Sequence, residues 1–406
     1  MLNPPASSAA SRPAVSGGDV PTSTRMTLLL VASLTVMSGA IISPALPAIH
    51  DYFSGVPNAD VLTRLVLTIL GLAITLSAPV SGWLCDRFGR RPVLIAALAL
   101  YGVAGASGLV APTLWSLLAG RVVLGLAVGA TMTAGAALVA DLFSGAARTQ
   151  FLGVQSAFSS LGGAVLLPLG GVLAAVSWRA PFAVYLVALL LLPLAWRLPH
   201  SKVAPAIQKG PAWKIPPSIW AMYAVAAVYM TVFYLMPVQL PFRLHDLKVP
   251  PSLVGLVLGA VTLAGGLSAL SLTRWGARVA SPLRLAGAGM LLQGAGWVLV
   301  GLADHLPLLI SGLLLGGAGG GLVLPLVASR LGLLAPPAVR GRVMSGMTSA
   351  IFLGQFLSPV LAQPLVNASG VKLAFLGGAA LALLVGLALV TWGRERAPGV
   401  PETAGR

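Results

Sequence analysis

The residues able to do chemistry are few, and they gather in two places. The first is Gly82-Trp83-Leu84-Cys85-Asp86-Arg87-Phe88-Gly89-Arg90-Arg91-Pro92, which sets one carboxylate among three guanidinium groups at the end of an apolar run. A bare carboxylate near a membrane surface is costly unless it is paired, and Arg87, Arg90 and Arg91 supply partners. Phe88-Gly89 makes a short turn. Gly82 removes a side chain where two helices must pack closely. The second is Arg121, about eight residues into its own apolar run and so about 12 Å deep. Burying arginine there costs at least about 2.5 kcal/mol, so it is expected to face water, a carboxylate or a central cavity. Snorkelling to the outer surface is the alternative.

Other chemistries lack their residues. The 4 histidines and the single Cys85 are widely spaced, so no metal cluster and no internal disulfide is expected. No cofactor is implied. The Gly-x-x-x-x-Gly-Lys-Ser/Thr loop of nucleotide-driven pumps does not occur. All 9 Asp and Glu fall in loops, tails or span ends, whereas a membrane-embedded hydrolase or transferase needs such groups well inside a span. His50, Asp51 and Asp141 are able to titrate, and each also reads as an ordinary interfacial residue.

The elements that position these residues follow from composition. The chain has 406 residues, 57% hydrophobic and only 8% charged, against about 25% charged in a soluble domain. That excludes a soluble enzyme, a disordered regulator and a nucleic-acid-binding protein. Apolar runs punctuated by Pro, Gly and charge predict twelve helical spans near 26–49, 61–84, 92–110, 113–139, 149–175, 180–197, 217–240, 252–272, 282–303, 306–333, 342–366 and 371–392. A bacterial-type barrel would show short alternating segments instead. The first run is longer than the core of a signal peptide, so it reads as a retained span.

Residues 1–25 read as a disordered tail, 26–197 as one six-helix bundle, 198–216 as a linker, 217–393 as a second bundle and 394–406 as a second tail. An even number of spans puts both ends on one side. That side holds nineteen Lys and Arg against five on the other, with Arg121 inside a span. The excess of Lys and Arg predicts cytoplasmic termini and explains the net charge of +16 without nucleic acid.

The bundles read as repeats. Arg87-Phe88-Gly89-Arg90-Arg91 after the second span is echoed by Arg274-Trp275-Gly276-Ala277-Arg278 after the eighth, and Leu124-Gly125 and Gly129 by Leu315-Gly316 and Gly320.

The loop at 82–92 resembles the signature loop of the major facilitator superfamily, Gly-x-Leu-x-Asp-Arg-x-Gly-Arg-Arg/Lys, with each fixed position met. The resemblance covers about residues 26–393 and is to the twelve-span drug or metabolite:proton antiporters. It implies an all-α membrane fold of two pseudo-symmetric six-helix bundles working by alternating access. It also implies that Asp86 latches onto the N-terminus of the eleventh span, near Gly341–Ser345, when the protein faces outward. Arg90 would pair with Asp141. Arg121-x-x-Leu124-Gly125-x-x-x-Gly129 matches the fourth-span motif of efflux members, in which the arginine serves proton coupling or substrate charge.

The fifth span, with Gly162-Gly163 and Pro168-Leu169-Gly170-Gly171, is similar to the Gly-Pro-x-x-Gly-Gly motif of exporters but has Leu167 in place of a glycine and one spacer residue fewer. Its physical content is close helix packing and a kink at Pro168. The first span ends in an exporter-like Pro44-x-x-Pro47 but lacks the embedded acid of many exporters.

The resemblance places the cavity between spans one, four, seven and ten. Polar candidates are Ser38, Thr131, Tyr229, Tyr234 and Gln239, with Gln155 and Gln355 from spans five and eleven. Such a pocket suits a lipophilic, weakly charged or anionic molecule better than a sugar. The expected function is proton-coupled efflux of drugs or lipophilic small molecules by a monomer in a bacterial-type inner membrane. Uptake of a small metabolite by the same fold is the alternative, and a non-transporting sensor a remoter one.

Overall fold

In the computed structural model of the chain the apolar runs are helices, and no strand forms among the described residues, 20–199, 214–275, 281–336 and 339–392. The expected tails before residue 20 and after 392, most of the expected linker, and the 276–280 part of the second charged repeat lie outside the described residues. A backbone in lipid must satisfy its own N–H and C=O groups, which leaves an apolar run of about 20 residues no alternative to a helix.

Among the described residues twelve apolar rods result. They are α1 (Thr22–Tyr52), α2 (Ala59–Phe88), α3 (Arg90–Leu109), α4 (Leu114–Leu142), α5 (Gly145–Val176), the shorter α6 (Ala180–Trp196), α7 (Pro217–Asp246), α8 (Pro251–Trp275), α9 (Pro282–Leu302) and α10 (Leu306–Leu334). The last helix, Arg340–Trp392, is broken at Ser369 and at Gly370, whose φ is 77°, into α11 (340–368) and α12 (371–392). Thr22–Arg25, expected in the tail, are already helical.

Local chemistry sets the ends. Thr113 accepts from the Ser116 amide in a capping box that starts α4, and Ser281 does the same for the Arg284 amide at α9. Gly89, at φ 89° and ψ 157°, separates α2 from α3 in a conformation that L side chains rarely adopt. The first stretch of α1 ends at Ala40, shortly before Pro44 and Pro47, which have no N–H to give the ladder.

Two apolar clusters fill the interior. One draws almost wholly on α1–α6, with Leu70, Leu94, Leu124 and Phe182 at its centre; the other draws almost wholly on α7–α12, with Met230, Trp297, Leu313 and Phe375. An aromatic donor ties each together in the same way. Tyr101 on α3 gives its hydroxyl to the Leu34 carbonyl of α1 at 2.7 Å, and Trp297 on α9 gives its ring N–H to the Val232 carbonyl of α7 at 3.1 Å.

The clusters meet where backbones come close. A Cβ at Gly171 of α5 would stand 2.5 Å from the Pro251 carbonyl oxygen and 3.0 Å from Gly255 Cα of α8, and one at Gly71 of α2 would stand 2.6 Å from the Phe352 oxygen of α11. Outward faces are apolar and exposed, as at Leu76, Val103 and Leu190, which fits a protein whose solvent on those faces is lipid.

Candidate functional site

In the 82–92 loop, Arg90 is buried and its Nε lies 3.2 Å from Asp141 Oδ2. The two groups form an ion pair. Arg87 is exposed and lies over the exposed rings of Trp83 and Phe88, 5.4 and 5.6 Å from their centres. Arg91 is half-buried. Asp86 is exposed, and among the described residues no hydrogen bond or ion pair joins it to the start of α11. Gly82 corrects an expectation. A Cβ there would meet nothing within 4 Å, so no helix packs on it in this conformation.

Arg121 is 1% exposed and does not reach the cavity or a carboxylate. Its Nε donates to the Val66 carbonyl at 3.1 Å, Nη1 to Tyr185 Oη at 3.0 Å and Nη2 to the Ser38 carbonyl at 2.6 Å. Tyr185 donates to that same Ser38 oxygen at 2.9 Å. The expectation failed because it overlooked backbone acceptors. Ser38 lies in the last turn of a helix that stops at Ala40, where carbonyls have no partner in the ladder and the dipole is negative. The guanidinium caps that end and ties α1, α2, α4 and α6 together.

The glycines of the fourth and fifth spans are at helix crossings. A Cβ at Gly125 would stand 2.6 Å from Ala73 Cβ, and Gly129 faces Ser77, so both pack α4 on α2. Gly163 fits between Val36 and Thr262, Gly170 sits on the Ile41 carbonyl, and Gly171 crosses Gly255. Pro168 packs where a Cβ at Gly259 would be, at 3.0 Å.

Of the expected spans one, four, seven and ten, the two arms of the cavity use one and four. One arm, about 520 Å³, lies between α2, α4 and α11 and carries Thr75, Thr133, Ser345, Thr348 and Ser349 among apolar side chains. A second arm, about 310 Å³, lies between α1, α4 and α5. Met132 and Ala136 line both, so the arms adjoin along α4.

Of the seven polar candidates, Thr131 and Gln155 line the second arm. The other five serve packing. Ser38 turns its hydroxyl to the Thr35 carbonyl, and Gln239 accepts from Arg64. Gln355 packs beside Gly71, Tyr234 beside Gly39, and Tyr229 stacks on Phe233. The α11 hydroxyls had a legible signal, since Ser345, Thr348, Ser349 and Phe352 recur at the three- and four-residue spacing of one helical face.

A contact network missed in the sequence closes one side of the molecule. Arg64, 3% exposed near the start of α2, donates Nε to Gln239 Oε1 of α7 at 2.9 Å and lies 4.2 Å from the centre of the Phe242 ring. Ser43 donates to the Pro237 carbonyl at 2.5 Å. His50 bridges Asp51 and Asp60 at 3.3 and 3.2 Å, and His245 of α7 lies 3.7 Å from Asp51. All of this lies at the helix ends remote from Thr22 and Trp392. On the terminal side, Gly82 and Asp86 face open space or solvent. These contacts join the two halves on the remote side, and none of them has a counterpart at Gly82 and Asp86 on the terminal side.

The model of the Major Facilitator Superfamily matches residues 28–243 and 221–406. A class C tetracycline resistance protein of Escherichia coli is 28% identical over 88% of this chain and 94% of its own length. A class G tetracycline resistance protein of Vibrio anguillarum is 35% identical over 38% of this chain and 39% of its own. The solved structure of a D-xylose–proton symporter superposes with a TM-score of 0.74 at 17% identity, covering 90% of this chain and 96% of that one.

Proposed function

The chain belongs to the major facilitator superfamily, and on that premise we propose that it exports drugs or lipophilic small molecules in exchange for protons, by alternating access. It is a multi-pass membrane transporter and not an enzyme. The observation that carries the reading is the cavity of about 520 Å³ between α2, α4 and α11, apolar with a few hydroxyls. We take the Arg64–Gln239 and Ser43–Pro237 contacts to seal the molecule on the remote side and the terminal side to be the open one. A hole that serves two compartments in turn needs one gate shut while the other is open. Resistance proteins among the relatives favour efflux over uptake.

We take the two apolar clusters for two rocking bundles, 26–197 and 217–393. The excess of Lys and Arg on the terminal side supports cytoplasmic termini in a bacterial-type inner membrane, and in that orientation this conformation faces inward. The protein works as a monomer. Asp86 serves as the latch in the opposite state. It is then pulled to the N-terminus of α11, whose unpaired amides attract a carboxylate, while Arg90–Asp141 keeps the loop in place.

The test is counterflow in proteoliposomes with an imposed pH gradient over a substrate panel. Efflux predicts accumulation of at least one lipophilic substrate driven by the gradient and abolished by a protonophore. It also predicts that Asp86→Asn abolishes flux while the protein still inserts. Gradient-independent movement throughout, or full activity in Asp86→Asn, overturns the mechanism. Raised rather than lowered cellular accumulation on expression would favour uptake.

A further inference from the structure

The two arms of the cavity differ in one respect that bears on what they hold. The α2–α4–α11 arm is lined by no charged side chain. The α1–α4–α5 arm carries one, Arg148, at its mouth on the first turns of α5. Arg148, Leu152, Gln155 and Ser159 follow one another at spacings of four, three and four residues, so one face of α5 presents a cation at the mouth, an amide deeper and a hydroxyl deeper still. Among the described residues no carboxylate pairs with Arg148. Asp141, the nearest acid in sequence, is engaged by Arg90. No carboxylate lines either arm. Apolar walls and the shared Met132 and Ala136 complete a continuous path into the larger arm.

From this we infer that the cavity selects amphipathic organic anions. The carboxylate, sulfonate or phenolate pairs with Arg148, and the apolar body lies across Met132 and Ala136. A guanidinium gives an oxyanion charge-assisted hydrogen bonds. The apolar wall strengthens that attraction on one side while the open mouth spares the ion full desolvation. An organic cation would meet a like charge at the entrance and no acid inside.

The inference rests on taking this cavity for the transport site, and it is tested by binding rather than flux so that the two can fail separately. The full chain is placed in nanodiscs of phosphatidylcholine, which removes anionic lipid headgroups as competitors. Equilibrium dialysis at pH 7 then compares three probes of one shape, namely 2-naphthoate, 2-naphthylmethanol and 2-naphthylmethylammonium. Naphthoate is expected to bind at least about tenfold more tightly than the alcohol, as one charge-assisted hydrogen bond provides, and the ammonium more weakly than either.

Arg148→Gln, at an exposed mouth position, is expected to erase the difference between acid and alcohol, and Arg148→Lys to restore most of it. An unchanged melting temperature checks that both variants fold. Equal affinities for the three probes, no measurable naphthoate binding, or a preference that survives Arg148→Gln overturns the inference. If naphthoate binds with the stated preference but no panel compound moves with the pH gradient, the efflux reading falls and the anion site stands.

Discussion

At the scale of single residues, Arg90 and Arg121, two of the buried arginines of the N-terminal half, have opposite fates. Arg90 lies where its loop ends and meets a carboxylate. Arg121 meets none, yet it is the more deeply held, because three neutral acceptors converge on it. Hydrogen bonds to a charged group are worth about 1.5–3 kcal/mol each, and losing them strands buried carbonyls. Arg121→Ala is therefore expected to lower stability by at least about 2 kcal/mol, seen as a clear fall in melting temperature in detergent, and to abolish transport. Arg121→Lys restores the charge but not the fork that reaches Ser38, Val66 and Tyr185 together, so it should recover only part of the stability. A variant with normal stability and lost flux would move Arg121 from scaffold to coupling chemistry. That a buried arginine needs partners is legible in the sequence. That the partners are the Ser38 and Val66 carbonyls is not, since any carbonyl is an equal candidate until the helices are packed.

At the scale of helices, crossings are set by small residues, and the two sides of the molecule use them differently. Gly171 and Gly255 let α5 and α8 touch backbone to backbone on the sealed side. Gly171→Val is expected to wedge them apart and shift the population toward opening of that side. The readout is increased thiol labelling of a cysteine placed at Ser43, buried in this state, measured against the same cysteine in the parent.

Gly82 shows the reverse relation. A side chain there has room now and would collide only if α11 swung onto the loop. Gly82→Leu should keep the melting temperature of the parent and lose transport, with electron spin distances fixed at the values for an open terminal side. Transport that persists in Gly82→Leu means that α11 never closes over this position. The glycines could be read from the sequence as packing positions. Which ones are engaged in a given state could not, because both states are built from the same helices.

For the molecule as a whole, two rigid bundles share a small set of ties on the sealed side, and the buried Arg64–Gln239 pair is central among them. Removing one such bond changes a two-state ratio by about tenfold or more. Arg64→Ala is accordingly expected to add a longer component to the distance between spin labels at Tyr52 and Leu253, both exposed on that side. An unchanged single distance would place the closing force in the α5–α8 and α2–α11 crossings instead. On the proposed mechanism the two arms meeting at Met132 and Ala136 act as one chamber, whose access alternates as these ties form and break.

The sequence alone determined what water and lipid dictate locally. Twelve apolar runs had to be helices, Gly89 had to be a break, and the Asp86–Arg91 charges had to stay at the membrane surface, because a backbone or charge in hydrocarbon must be satisfied within reach of its own segment. Tertiary structure alone decided which helix faces meet, and so that Arg64 finds Gln239, that Arg121 caps the first stretch of α1, and that the two arms run along α1, α2, α4, α5 and α11. Lipid tails are as apolar as leucine, so burial does not choose between faces. The choice falls to close contact between small residues and to hydrogen bonds between groups far apart in the chain.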